Sequence, residues 1–161
     1  MTTYSSHFKG LQAGEGETVA IGQELYTMKA VGDDTGGALG IWLVITEPQA
    51  GPPPHIHHRE DEAWYILEGD YAFTIGDQVQ HYGPGSFIIG PRNIPHTFQN
   101  VGKSVGRMLA MAWPAGIETF FLEIGQPVPD PAAPAPAVSL DIEKLIALSQ
   151  KYSFDVLPPK E

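Results

Sequence analysis

From Thr18 onward, short apolar-rich runs alternate with Gly, Pro, Asn and Asp. TVAIGQELYTMKAV (Thr18–Val31) is β-branched and alternating, with Gly22 inside it, and ALGIWLVITEP (Ala38–Pro48) reads as a buried strand. EAWYILEG, DYAFTIGD, QVQHYGPG, SFIIGP, HTFQNVG and VGRMLAMAW follow in close order. Runs of this length, each bounded by turn residues, predict an all-β sandwich or barrel. Gly69-Asp70 and Gly76-Asp77 are predicted hairpin turns. No helical period of useful length precedes residue 115.

The pattern changes after the last of these runs. PAGIETFFLEIG (Pro114–Gly125) predicts a short helix that stops at Gly125. QPVPDPAAPAPAV (Gln126–Val138) reads as a stiff Pro/Ala linker. SLDIEKLIALSQKYS then offers Ser139 as an N-cap, with Ile142, Leu145, Ile146 and Leu148 at helical spacing. The expected organisation is a β-barrel domain over 1–125, a linker over 126–138, and a helix and tail over 139–161. The helix is expected to bury Ile142, Leu145 and Ile146 against the barrel or a second subunit, because an isolated helix of this length is marginal in water.

Composition narrows the function. The 161 residues suit one domain with a real core. Nine Lys and Arg stand against nineteen Asp and Glu, a formal charge of −10. That balance argues against nucleic acid and against an anionic membrane surface, since neither offers a counter-charge. The absence of cysteine excludes disulfides and thiolate metal sites. MTTYSSHFKGLQ lacks the basic start and apolar run of a signal peptide, and the longest apolar stretch, Leu39–Ile45, is far too short to span a bilayer. These features predict a cytoplasmic protein.

The chemistry concentrates in GPPPHIHHREDEAWYILEG (Gly51–Gly69). Successive side chains on a strand point to opposite faces, so His55 and His57 face one way and His58 the other. Two imidazoles so placed can reach one ion. Glu60 and Asp61 are expected in a solvated turn. Glu62 opens the next strand, where it points inward with Trp64 and Ile66 while Tyr65 and Leu67 point outward. Pro52, Pro53 and Pro54 pre-set an extended backbone ahead of His55. GSFIIGPRNIPHTFQN (Gly85–Asn100) supplies His96 as a fourth candidate ligand, with Phe98 on the same face. His7, His58 and His81 have no partner at ligand spacing and are read as ordinary histidines, and Arg92 as a surface arginine. Trp42, Trp64, Phe98 and Trp113 suit a core as well as a substrate wall.

The two segments resemble the motifs of the cupin superfamily, G-x5-HxH-x3–4-E-x6-G and G-x5-PxG-x2-H-x3-N. Here His55-Ile56-His57, Glu62 and Gly69 match the first; Gly85, Pro91, His96 and Asn100 match the second. Gly51 lies too close to His55 for the first motif, and Asn93 stands where the second has glycine; Asn tolerates a left-handed backbone. The wording of the motifs, with the later PAGIETFFLEIG, is most similar to single-domain, quercetin 2,3-dioxygenase-like cupins. The resemblance implies a double-stranded β-helix (jelly-roll barrel) with a short C-terminal helical extension, and a homodimer built on the barrel's outer sheet. It implies that His55, His57, Glu62 and His96 bind one divalent transition ion.

Three imidazoles and a carboxylate suit Fe, Mn, Co, Ni or Zn and disfavour Cu(I). On a six-coordinate ion they leave two positions for small ligands. With Trp64, Phe98 and Trp42 as an apolar wall, the expected partner is a planar, aromatic or enolisable small molecule rather than a sugar or a phosphate. The expected chemistry is dioxygenation, with Glu62 also able to accept the substrate proton. The alternatives are an isomerase or lyase using the ion as a Lewis acid, and a non-catalytic ligand-binding module.

Overall fold

A computed structural model describes residues 8–130, 136 and 138–158; His7 lies outside them. Among the described residues the strands form two antiparallel sheets. The larger has the order β11-β1-β2-β3-β10-β5-β8, with β1 Thr18–Ile21, β2 Glu24–Ala30, β3 Gly40–Thr46, β5 Asp61–Glu68, β8 Phe87–Gly90, β10 Gly106–Trp113 and β11 Gln126–Pro127. The smaller has the order β12-β4-β9-β6-β7, with β4 His55–His57, β6 Tyr71–Ile75, β7 Gln78–Tyr82, β9 His96–Asn100 and β12 Phe154–Val156. Their inner faces meet through Trp64 on one side and Phe73 and Phe98 on the other, ring centroids 5.2 and 6.4 Å apart. This is a jelly-roll barrel. No helix among the described residues is long and apolar enough to cross a membrane.

Alternation sets the inner surface. In β3, Gly40, Trp42, Val44 and Thr46 are buried and the residues between them half-buried. In β10 the inward set is Gly106, Met108, Ala110 and Ala112. Small residues in this central strand make room for the large rings of β3 and β5. In β5, Glu62, Trp64 and Ile66 are buried while Tyr65 and Leu67 are exposed, as the strand phase predicts.

Two turns differ from the sequence expectation. Thr18–Val31 is not one strand: Ile21 pairs with Glu24, and Gly22, at φ 60°, turns β1 back onto β2. Gly76 does close a hairpin, with Ile75 opposite Gln78. Gly69 does not, because β5 and β6 belong to different sheets. It sits at φ 92° at the corner between them, where an added Cβ would lie 2.8 Å from the Cα of Gly106. Only glycine satisfies both constraints there. A four-residue helix, α1 (Gly32–Thr35), also interrupts the chain before residue 115.

The C-terminal part is woven into the barrel. α2 (Ile117–Ile124) ends at Gly125 and packs Phe121 on Tyr26 and Trp42. Gln126–Pro127 then pairs with β1. Residues 131–135 and 137 of the Pro/Ala segment lie outside the described residues, and the Val138 amide donates to the Gly22 carbonyl. α3 spans Ile142–Lys151. Its N-cap is Asp141, not Ser139: the Asp141 carboxylate accepts from the Lys144 amide at 3.0 Å. The buried stripe is also shifted. Leu145 and Ser149 are buried and Leu148 half-buried, whereas Ile142 and Ile146 are more than half exposed. Helical spacing permits either stripe. The Leu145 stripe wins because it runs into Tyr152, whose ring meets Phe120 at 5.9 Å. After it, Phe154–Val156 adds β12 to the smaller sheet, an element whose three-residue run gives no periodic signal in the sequence.

Candidate metal centre

β4 is only three residues long, and its neighbours hold it. His55 pairs with His96 of β9 on one side; on the other, His57 pairs with Phe154 and His55 with Val156. The prolines before it contribute carbonyls. Pro52 accepts the Thr97 hydroxyl at 2.7 Å, Pro53 accepts from His55 Nδ1 at 2.9 Å, and Pro54 accepts the Leu157 amide at 2.8 Å. Gly51 abuts β9 so closely that a Cβ would come within 2.0 Å of the Phe98 carbonyl oxygen. This displaced glycine thus has a steric role in seating the strand.

The structure brings His55, His57, Glu62 and His96 together, with one ligand atom from each lying within 4.8 Å of all the others. Glu62 Oε2 is 3.3 Å from His57 Nε2 and 3.2 Å from His96 Nε2. The backbone fixes two of the rings. His55 Nδ1 faces the Pro53 carbonyl and His96 Nδ1 the Ile94 carbonyl, so both Nδ1 atoms carry the proton; each Nε2 then offers a lone pair to an ion or, with a proton on it, a donor to Glu62. Acceptor lone pairs converging on a carboxylate are mutually repulsive unless a cation or shared protons lie between them. The donor set therefore fits a divalent ion.

Electrostatics agree with that fit. Burial, reinforced by His96 and His57, pushes His55 down to about 3, so it is a neutral ligand at physiological pH. Burial pushes the Glu62 carboxyl up, but hydrogen bonds from His57 and His96 outweigh it and hold it well below the usual carboxylate range. Glu62 is thus anionic where charge balance for an ion is needed.

The remaining residues of the two motif segments separate by face. His58 points away from the group: its Nε2 lies 2.8 Å from Asp155 Oδ2 and its Nδ1 3.0 Å from Asn93 Oδ1. Asn93 takes φ 63°, as its glycine-like place in the second motif requires, and its amide donates to the His57 carbonyl at 2.7 Å. Arg92 is tied to Asp61, its guanidinium reaching Oδ2 at 2.7 Å. Glu60 corrects the expectation of a solvated turn. It is 1% exposed, Arg59 Nη1 is 3.2 Å from its Oε1, and Oε2 has no partner among the described residues. Arg59 also reaches the Ala115 carbonyl just before α2 at 2.9 Å, and burial raises the pKa of the Glu60 carboxyl.

The group opens onto a cavity of about 260 Å³ lined by His55, His57 and Glu62, and by Trp42, Trp64 and Phe98. Much of the remaining wall was not assigned from sequence. Phe120 and Phe121 of α2, and Leu140, Leu145, Phe154 and Val156 of the tail, also line it. The adjacent phenylalanines in IETFFLEIG carry a weak signal for this; the tail carries none. Glu24 and Tyr26 of β2 line it too. Their signal was readable, as a charged residue on the inward phase of an alternating strand.

A family model described as Cupin domain (Cupin_2) matches residues 42–112. The chain is 26% identical over 152 residues to quercetin 2,3-dioxygenase of Bacillus subtilis (strain 168), covering 92% of this chain and 44% of that protein. It spans less than half the length of the curated relatives it matches. Among solved structures, a predicted oxalate decarboxylase from Thermotoga maritima superposes with a TM-score of 0.63 at 16% identity, over 66% of this chain and 99% of that one. An RmlC-like cupin from Shewanella frigidimarina gives 0.60 at 18% identity, over 71% and 96%. At these identities the two structures speak to the fold.

Proposed function

This chain belongs to the cupin superfamily, and from that premise we propose that it is a metal-dependent dioxygenase acting on a phenolic, flavonol-like or otherwise enolisable small molecule. The observation that carries the reading is the convergence of His55, His57, Glu62 and His96, the first three of which line an aromatic cavity. The likeness to a quercetin 2,3-dioxygenase over most of this chain supports it.

In this reading the three imidazoles and Glu62 hold one divalent ion of the Fe, Mn, Co, Ni or Zn series. When bound, such an ion would supply Lewis-acid polarisation of a substrate oxygen and, if it is Fe, Mn, Co or Ni, electron exchange with dioxygen. The protein supplies the rest. Trp42, Trp64 and Phe98 stack against a flat substrate and exclude water. His55 and His96 are kept in the ligating tautomer by Pro53 and Ile94. Glu62, the anionic member of the set, accepts the proton of the substrate hydroxyl. Held low by two imidazoles, it is a weak base, matched to a substrate hydroxyl that a bound ion would make more acidic.

The outer face of the larger sheet suggests the assembly. Leu43, Leu109, Tyr65 and Phe87 form one outward row across β3, β10, β5 and β8, and Ile41, Met111, Ala63 and Ile89 a second. Tyr65, Phe87 and Ile89 are all exposed. An apolar patch of this kind fits a homodimer.

Oxygen uptake by protein loaded in turn with Fe, Mn, Co and Ni, assayed against flavonols, catechols and β-diketones, tests the activity. At least one metal form should consume O2, and Glu62→Gln should lose turnover more completely than it loses metal. Silence in every metal form, with retention or isomerisation of a small molecule, would replace dioxygenation with the Lewis-acid or binding alternative.

A further inference from the structure

The cavity has a second polar end that the metal centre does not use. Glu24 opens β2 on the inward phase it shares with Tyr26 and Met28, and only 5% of it is exposed. Its Oε2 accepts the Tyr26 hydroxyl at 3.1 Å. Its Oε1 closes no hydrogen bond of ordinary geometry among the described residues, although the Thr46 hydroxyl, its cross-strand neighbour, lies near enough to the carboxyl to oppose part of the effect of burial. Burying an unsatisfied oxygen is costly, and such groups call for an explanation. A ligand that enters the cavity can satisfy it, because Glu24 and Tyr26 line the same space as His55, His57 and Glu62.

The surroundings say what kind of ligand. Among the described residues no Lys or Arg lines the cavity, so a carboxylate or phosphate would be buried there without a counter-charge. Burial pushes the Glu24 carboxyl up to about 8, against the opposing hydrogen bond from Tyr26. At neutral pH it is an uncharged acid with a proton to donate. The strand registers put Trp42 and Trp64 on a row between that of Glu24 and that of Glu62, and Phe98 also lines the space.

We propose that Glu24, oriented by Tyr26, recognises an uncharged oxygen at the far end of the substrate, a phenolic hydroxyl or a carbonyl, while the opposite end faces His55, His57 and Glu62. The substrate is then an aromatic molecule with oxygen at both ends. Glu24 is a specificity residue: it selects which molecule lies along the cavity and in which direction. This rests on the reading of the cavity as the substrate chamber.

Binding of 4-ethylphenol and ethylbenzene to the full chain loaded with Zn(II), a redox-silent ion, followed by amide NMR shifts, provides the test. The phenol should bind about tenfold more tightly, the worth of one buried hydrogen bond, with shifts concentrated at Gln23–Leu25. Glu24→Gln should keep most of that preference. Glu24→Leu should erase it while leaving ethylbenzene affinity and zinc content unchanged. Tyr26→Phe, a milder variant, should reduce it. A preference that survives Glu24→Leu and Tyr26→Phe, or is missing from the parent protein, overturns the proposal. Zinc protein consumes no O2, so this outcome is independent of the oxygen-uptake result.

Discussion

Glu62 and Glu24 are both glutamates on inward phases of the same sheet, both buried, and both face the same cavity. Their carboxyls nonetheless shift in opposite directions. Burial raises both. At Glu62 two imidazole nitrogens within 3.3 Å overturn that effect, and the group is held as an anion. At Glu24 the main partner is a neutral phenol, which cannot offset desolvation, and the group is held as an acid. The same side chain is thus poised as an anion at one end of the cavity and as a neutral acid at the other. Neighbours, rather than residue type, decide the chemistry.

The contrast can be broken most directly at the imidazole end. His57→Ala should lower bound metal more than about tenfold relative to the parent, read by elemental analysis after chelation and reloading. His58→Ala, on the opposite strand face, should keep about one ion per chain. Equal metal in both variants would remove the imidazole cluster as the source of Glu62's ionisation.

Next in size is the support behind that cluster. Phe154 packs on His57 and Phe120, ring centroids 5.6 and 4.8 Å apart. Phe154→Ala should cost ~3–5 kcal/mol in denaturant unfolding and weaken metal retention, since it leaves a cavity beside a ligand. Unchanged stability would make β12 a passive appendage.

At the other end the test is pH. Above about 4.5 the unfolded chain loses the Glu24 proton that the folded chain keeps up to about 8. The native state therefore binds more protons across that window, and this group makes stability fall as pH rises through it. Glu24→Gln should flatten that slope by up to a few kcal/mol between pH 5 and 8, seen as a melting temperature less sensitive to pH than the parent's. An unaltered slope would mean that Glu24 is ionised in the fold. The smallest effect is expected at the turn bracing His57: Asn93→Val should cost about 1–2 kcal/mol from left-handed strain, and Asn93→Gly almost nothing.

The imidazole end was legible from sequence because it is local. His55 and His57 are two apart on one strand, Glu62 opens the next, and strand alternation alone sorts His58 away from them. Asn93 could be assigned a left-handed turn from its place in the motif. Glu60 could not be read, since its burial depends on segments far along the chain, such as the one at Ala115 that Arg59 reaches, and nothing in HREDE encodes that. Ile142 and Ile146 were misplaced for a related reason. Helical spacing allows two stripes, and the one that docks is chosen by Phe120, about twenty residues earlier in the chain.

The sequence by itself determined the all-β architecture, the inward phase of β5 and β9, the grouping of His55, His57, Glu62 and His96, and the acidic, cysteine-free composition. Each is written in residue type and spacing over a few positions, where backbone periodicity is the only physics required. The tertiary structure alone decided that β12 flanks the ligand strand, that the tail and α2 close the cavity, and that Glu24 stands in it as a second polar end. Those features join residues up to about a hundred positions apart, as in the pairing of His57 with Phe154. Such pairings follow from which buried surfaces fit together, and no local pattern records them.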